Sequence, residues 1–154
     1  PVEVAEAFIS RIDALEPRLN AFITRIDDAA LREAREAEKE ILRGHYIGPF
    51  HGIPFGLKDM IWTNNIPTTS GSLLDSEFIP KEDSAVVSRM KAAGAYCIGK
   101  LHMTEFAFDG TSLNYHYGPA HNPWDISRMA GGSSSGPGVA VASGQAPIAI
   151  GTDT

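Results

Sequence analysis

Residues 52–60 read GIPFGLKDM. An apolar run punctuated by Gly52 and Pro54 ends in two charges, Lys58 and Asp59. Uninterrupted apolar character over so few residues predicts a strand buried on both faces. AYCIGK (95–100) reads as a second such strand and APIAIGT (146–152) as a third. Helical patterns separate them. The order helix, strand, helix, strand, helix, strand predicts an α/β layered fold with a partly parallel sheet.

The helices are read from apolar spacing. Residues 3–15 place Ala5, Phe8, Ile9 and Ile12 on one side, with Pro17 as the expected stop. NAFITRI (20–26) is apolar, of strand or helix-entry type. From Asp27 to Arg43, Ala30, Ala34, Ala37 and Ile41 mark one face, Glu and Arg the other, and Gly44 closes the helix. Asp83 is the expected cap of a helix through Ala93, with Val86, Met90 and Ala93 inward. MTEFAF (103–108) is a short helix or turn, and Pro137 suits the first turn of a helix reaching about Ser143.

Bulk composition narrows the function classes. The 154 residues are 43% hydrophobic and 21% charged, ordinary for one globular domain with a real core. A net charge of −6 supplies no basic stripe for phosphate and argues against general nucleic-acid binding. The single cysteine, Cys97, has no internal disulfide partner and sits in a strand pattern, so a packed thiol in a reducing, cytoplasmic setting is expected. No apolar stretch is long enough to span a membrane. The five histidines, at 45, 51, 102, 116 and 121, lack metal-site spacing, and no metal is expected.

The segment GGSSSGPG (131–138) admits three readings. It fits a flexible connector or a helix N-cap. A phosphate cradle at a helix N-terminus is a second option, though the G-K-[ST] ending is missing. The third is nucleophilic catalysis, in which a base must take the serine proton. A neutral lysine can be that base. Half-neutrality near pH 7 needs a shift of about three units, or about 4–5 kcal/mol, which burial can supply. Lys58, at the end of its apolar run, is the candidate, and its competing reading is a surface lysine at a strand end.

Four motifs occur in series: GIPFGLKD, NPWDISR, GGSSSGPG and APIAIGTDT. Together they resemble the amidase signature family over nearly the whole chain. The resemblance implies a three-layer α/β/α sandwich around a mixed, partly parallel central sheet. Residues 1–154 would form the N-terminal part of one such domain, with no internal boundary and an incomplete sheet. It implies a Ser–Ser–Lys triad in which Lys58 is the base. Ser133, after a cis Gly132–Ser133 peptide, would relay the proton. Ser134 would support the network. Thr152 and Asp153 would shape the loop, and Thr154 would offer an oxyanion-hole amide. The nucleophilic serine of the family pattern falls three positions past Thr154. Ser135 stands where many members have glycine, and Pro137 where many have serine. Thr104 and Phe108 would help line the acyl pocket.

The implied reaction is hydrolysis of a carboxylic amide C–N bond without metal or organic cofactor. The 154 residues alone are expected to be inactive. A small-molecule amide is the expected substrate, and a homodimer is left open. The amide-hydrolysing component of a glutamyl-tRNA amidotransferase is one alternative, and only there would nucleic acid enter. A non-catalytic truncated binding module is the other.

Overall fold

The computed structural model describes residues 1–153. The chain opens with α1 (Val2–Leu19), which turns Ala5, Ile12 and Leu19 inward. Pro17 does not stop this helix. It lies in the last turn, where its missing N–H costs one intrahelical bond and buried Leu19 holds the turn in place. The stop is Asn20, in the left-handed conformation at φ 50, whose N–H donates to Glu16 O at 3.0 Å.

β1 (Phe22–Arg25) follows, then α2 (Asp27–Leu42). The inward residues of α2 are Ala30, Ala34 and Ala37, small enough to bring it close to its neighbours. β2 (Pro54–Lys58) and β3 (Tyr96–Leu101) are buried at every residue, as their apolar runs predict. Between them, α3 (Ala85–Ala92) begins one residue later than expected, with Ser84 in the cap position. Asp83 does not cap it. Its carboxylate accepts the Asn64 N–H at 2.7 Å and meets Lys91 Nζ at 2.8 Å. Val87, rather than the expected Val86, faces the core, and Val86 is exposed. Glu105–Ala107 forms a single 3-10 turn, and α4 (Ser135–Ala142) starts inside the serine segment. β4 (Ala149–Ile150) is shorter than the apolar run that announces it.

The sheet order is β1-β3-β2-β4. β1 runs antiparallel to β3, whereas β2 is parallel to both β3 and β4. One face carries Ile98 and Leu101 against α1, α2 and α4, in a core with Ile12, Ala34 and Val139. The other face carries Phe55, Leu57 and Cys97 against Val87 of α3. Helices on both faces of a mixed sheet make an α/β/α arrangement. Side chains alternate along a strand, so Leu57 and Lys58 leave β2 on opposite faces. The carboxyl ends of β2 and β3 and the start of α4 converge, and the candidate site lies there.

Candidate active site

Lys58 ends β2 on the α4 side and has no exposed surface. Its Nζ lies 2.7 Å from Ser133 Oγ and 2.7 Å from Thr152 Oγ1. Burial pulls its pKa below the ordinary 10.5. A neutral amine offers two N–H donors and one lone pair. Thr152 Oγ1 can spend its own hydrogen on Met60 Sδ, at 3.7 Å, and so accept from Lys58. The amine lone pair is then available to the Ser133 hydroxyl. This geometry lets Lys58 remove a proton through Ser133.

Ser133 is held from several sides. The Gly132–Ser133 peptide is cis. Thr104 N–H donates to Ser133 O at 3.3 Å. A Cβ on Gly132 would run into the Thr111 carbonyl, so only glycine lets residues 109–111 lie against the loop. Ser134 faces the other way. Its Oγ donates to Thr152 O at 3.0 Å and accepts Thr152 N–H at 3.1 Å, which fastens the segment after β4. Asp153 is exposed and follows directly. Thr154 lies outside the described residues.

Thr104 and Phe108 line one pocket of about 370 Å³ beside the serine loop. Thr104 is buried and its Oγ1 donates to Asp109 O at 3.0 Å, so it offers a fixed wall. Phe108 is 94% exposed and Tyr115 93% exposed, giving the mouth an aromatic rim. Phe106, also in the lining, has φ 48 and is followed by Ala107 at φ 58. Two successive non-glycine residues in the left-handed region cost about 1–3 kcal/mol each, a strain that this wall of the pocket carries.

Sequence reasoning missed two clusters. On the opposite face of the sheet, Lys100 Nζ meets Asp59 Oδ1 at 3.5 Å, both without exposed surface, and donates to Ile61 O at 2.9 Å. Burial raises the Asp59 pKa and lowers that of Lys100, each partly opposed by the other's charge. Adjacent charges at 58 and 59 hinted at two faces, but nothing local named Lys100. His102, directly after β3, is also buried, between Ser135 and Gly118. Among the described residues no group of His, Cys, Asp or Glu is placed to hold a metal ion. None of their helices is long and apolar enough to cross a membrane.

The family model described as Amidase matches residues 3–154. The chain belongs to this amidase family. It is 46% identical to the A-type subunit of the glutamyl-tRNA(Gln) amidotransferase of Chloroflexus aggregans, over 99% of this chain and 31% of that protein. Among solved structures, the native peptide amidase of Stenotrophomonas maltophilia is 41% identical with a TM-score of 0.93, over 99% of this chain and 32% of that one. A component of a vestigial complex linked to the origins of an s-triazine catabolic enzyme is 38% identical with a TM-score of 0.96, over 99% of this chain and 34% of that one. The chain thus spans about a third of the length of the curated relatives it matches.

Proposed function

We propose that this amidase-family chain supplies the base and the proton relay for hydrolysis of a carboxylic amide. The observation that carries the reading is the 2.7 Å contact between a fully buried Lys58 amine and Ser133 Oγ. Lys58 takes the Ser133 proton as Ser133 takes that of the nucleophile. On the family resemblance, the nucleophile is a serine that follows Thr154 in the motif. Its oxygen attacks the carbonyl, and backbone amides about Thr154 receive the developing oxyanion. The proton returns through Ser133 to the leaving amine. Water then enters by the same relay and releases the acid. Thr152 and Ser134 keep the relay in register, Asp153 shapes the loop, and Thr104 and Phe108 bound the acyl group.

Ammonia release from a panel of linear primary amides tests this reading, in a chain that continues through that serine. Turnover should collapse in Lys58→Ala and Ser133→Ala. Equal turnover in folded variants would refute it.

A second reading is favoured by the names of the curated relatives, which share 43–48% identity with this chain. In that reading the amide is glutamine and the ammonia passes to a partner-bound glutamyl-tRNA. Glutamine hydrolysis that rises on adding such partners, with free amides left untouched, would select it.

A further inference from the structure

The three serines of the loop serve three different partners. Ser133 meets Lys58, Ser134 meets Thr152, and Ser135 meets His102. The first two belong to the relay and its loop, but the third has no part in the proposed reaction.

His102 Nε2 lies 2.7 Å from Gly118 O. A carbonyl oxygen only accepts, so Nε2 carries the ring proton. Nδ1 is then the bare nitrogen. At 2.8 Å from Ser135 Oγ it accepts the serine hydroxyl. Burial, and to a lesser degree His121, hold the ring below the ordinary imidazole range, which keeps it neutral in this tautomer. Two main-chain bonds tie the same segments, Gly136 N–H to His102 O at 2.8 Å and Thr104 N–H to Ser133 O at 3.3 Å. A Cβ on Gly136 would strike the backbone of His102 and the Ala21 carbonyl. The end of β3, the Gly118 turn and the start of α4 therefore cross at one imidazole.

We propose that His102 is a positioning residue that acts through Ser135 to fix where Ser133 Oγ meets Lys58 Nζ. Ser135 is two residues from Ser133 and lies in the first turn of α4, so its anchor sets the phase of the loop on the helix. The role rests on the relay reading of Lys58, but its test needs no turnover.

Protein carrying lysine labelled with ¹³C at Cε is titrated by NMR, with Lys58 assigned through Lys58→Arg. Histidine ring ¹H–¹⁵N correlations give the tautomer. An asparagine at 102 places an amide near Nδ1 and keeps a partner for Ser135. A glutamine places it near Nε2 and keeps only the Gly118 contact. His102 should be protonated on Nε2. Ser135→Ala, which removes one oxygen, and His102→Gln should move the Lys58 midpoint upward toward ordinary lysine. His102→Asn should hold it at the wild-type value. A His102 protonated on Nδ1 would overturn the proposal, as would one Lys58 midpoint shared by wild type, folded Ser135→Ala and His102→Gln. The two readings fail differently. A wild-type midpoint at the ordinary lysine value removes the relay along with the role of His102. A depressed midpoint indifferent to Ser135→Ala removes only His102.

Discussion

Lys58 and Lys100 stand on adjacent parallel strands, both without exposed surface, and leave the sheet on opposite faces. Leu57 is the register partner of Lys100, and Leu101 that of Lys58. Lys100 meets the Asp59 carboxylate, which favours its charged form. Lys58 meets hydroxyls, which accept from an amine in either state and leave burial to favour the neutral form. Two residues of one type thus differ in chemistry because of the side of the sheet they occupy.

Replacing Lys58 by Ala, in a chain that continues through the proposed nucleophile, removes the proposed base. General-base contributions are typically about 10²–10⁴-fold, so kcat should fall by at least that range. Lys58→Met should keep or raise Tm, because a buried amine gives way to a thioether of similar length. Thermal unfolding and turnover, measured on both variants, check the pair of outcomes.

The pH dependence follows from the depressed Lys58 value. Between its folded value and the ordinary 10.5, the unfolded chain binds a proton that the folded chain lacks. Its contribution to stability therefore grows as pH rises through that window and is lost as pH falls through it to the folded value. On the proposed relay, activity should rise with pH through the folded value, as the amine loses its proton. His102, depressed from 6.5, gives the same sign at lower pH: stability is lost as pH falls from 6.5 toward its folded value. Urea titrations of wild type and His102→Asn across pH 4–7 should differ in slope below roughly pH 6.5.

Breaking the Asp59–Lys100 pair leaves one buried charge without its partner. Asp59→Ala or Lys100→Met alone should cost about 3–5 kcal/mol in urea unfolding. The double variant, apolar on both sides, should recover much of that loss. A double variant no better than the singles would show that the Thr69 and Thr68 hydrogen bonds, rather than the ion pair, hold this face.

Gly136→Ala should be more damaging than an ordinary exchange in the first turn of a helix. The added methyl meets backbone on both sides, His102 and Ala21, neither of which can swing away. A loss of more than about 3 kcal/mol is expected. Gly138→Ala, one residue past Pro137, has open space and serves as the control, with a gain from helix propensity.

Cys97 should resist a thiol reagent in the native state. Its side chain is buried in β3 and its pKa is pushed up to about 12. At pH 8 labelling should proceed only through unfolding, so its rate should follow the denaturant dependence of the opening reaction.

Much of this was readable from residue order, for local reasons. β2 and β3 announce themselves because a strand buried on both faces needs an unbroken apolar run, and α2 because its alanines recur at helical spacing. The failures are long-range. Asp83 looked like a cap, but Asn64 and Lys91 compete for the same carboxylate. Pro17 looked like a stop, but Leu19 is buried beyond it. Lys58 and Ser133 are 75 positions apart, and only the series of four motifs joined them. His102 and Ser135 are 33 apart with no motif, so nothing in the order of residues could pair them.

The alternation at the end of β2 carries one more consequence. A slip of one residue would turn Asp59 toward Ser133 and Thr152 and drive Lys58 against the ammonium of Lys100. Such a frame shift would part Asp59 from Lys100 and set two amines together in a dry interior, where a second charge has no counter-ion. The Lys58–Asp59 dipeptide therefore proofreads the assembly of the sheet. A shifted register is disfavoured by the same two side chains that the true register keeps apart.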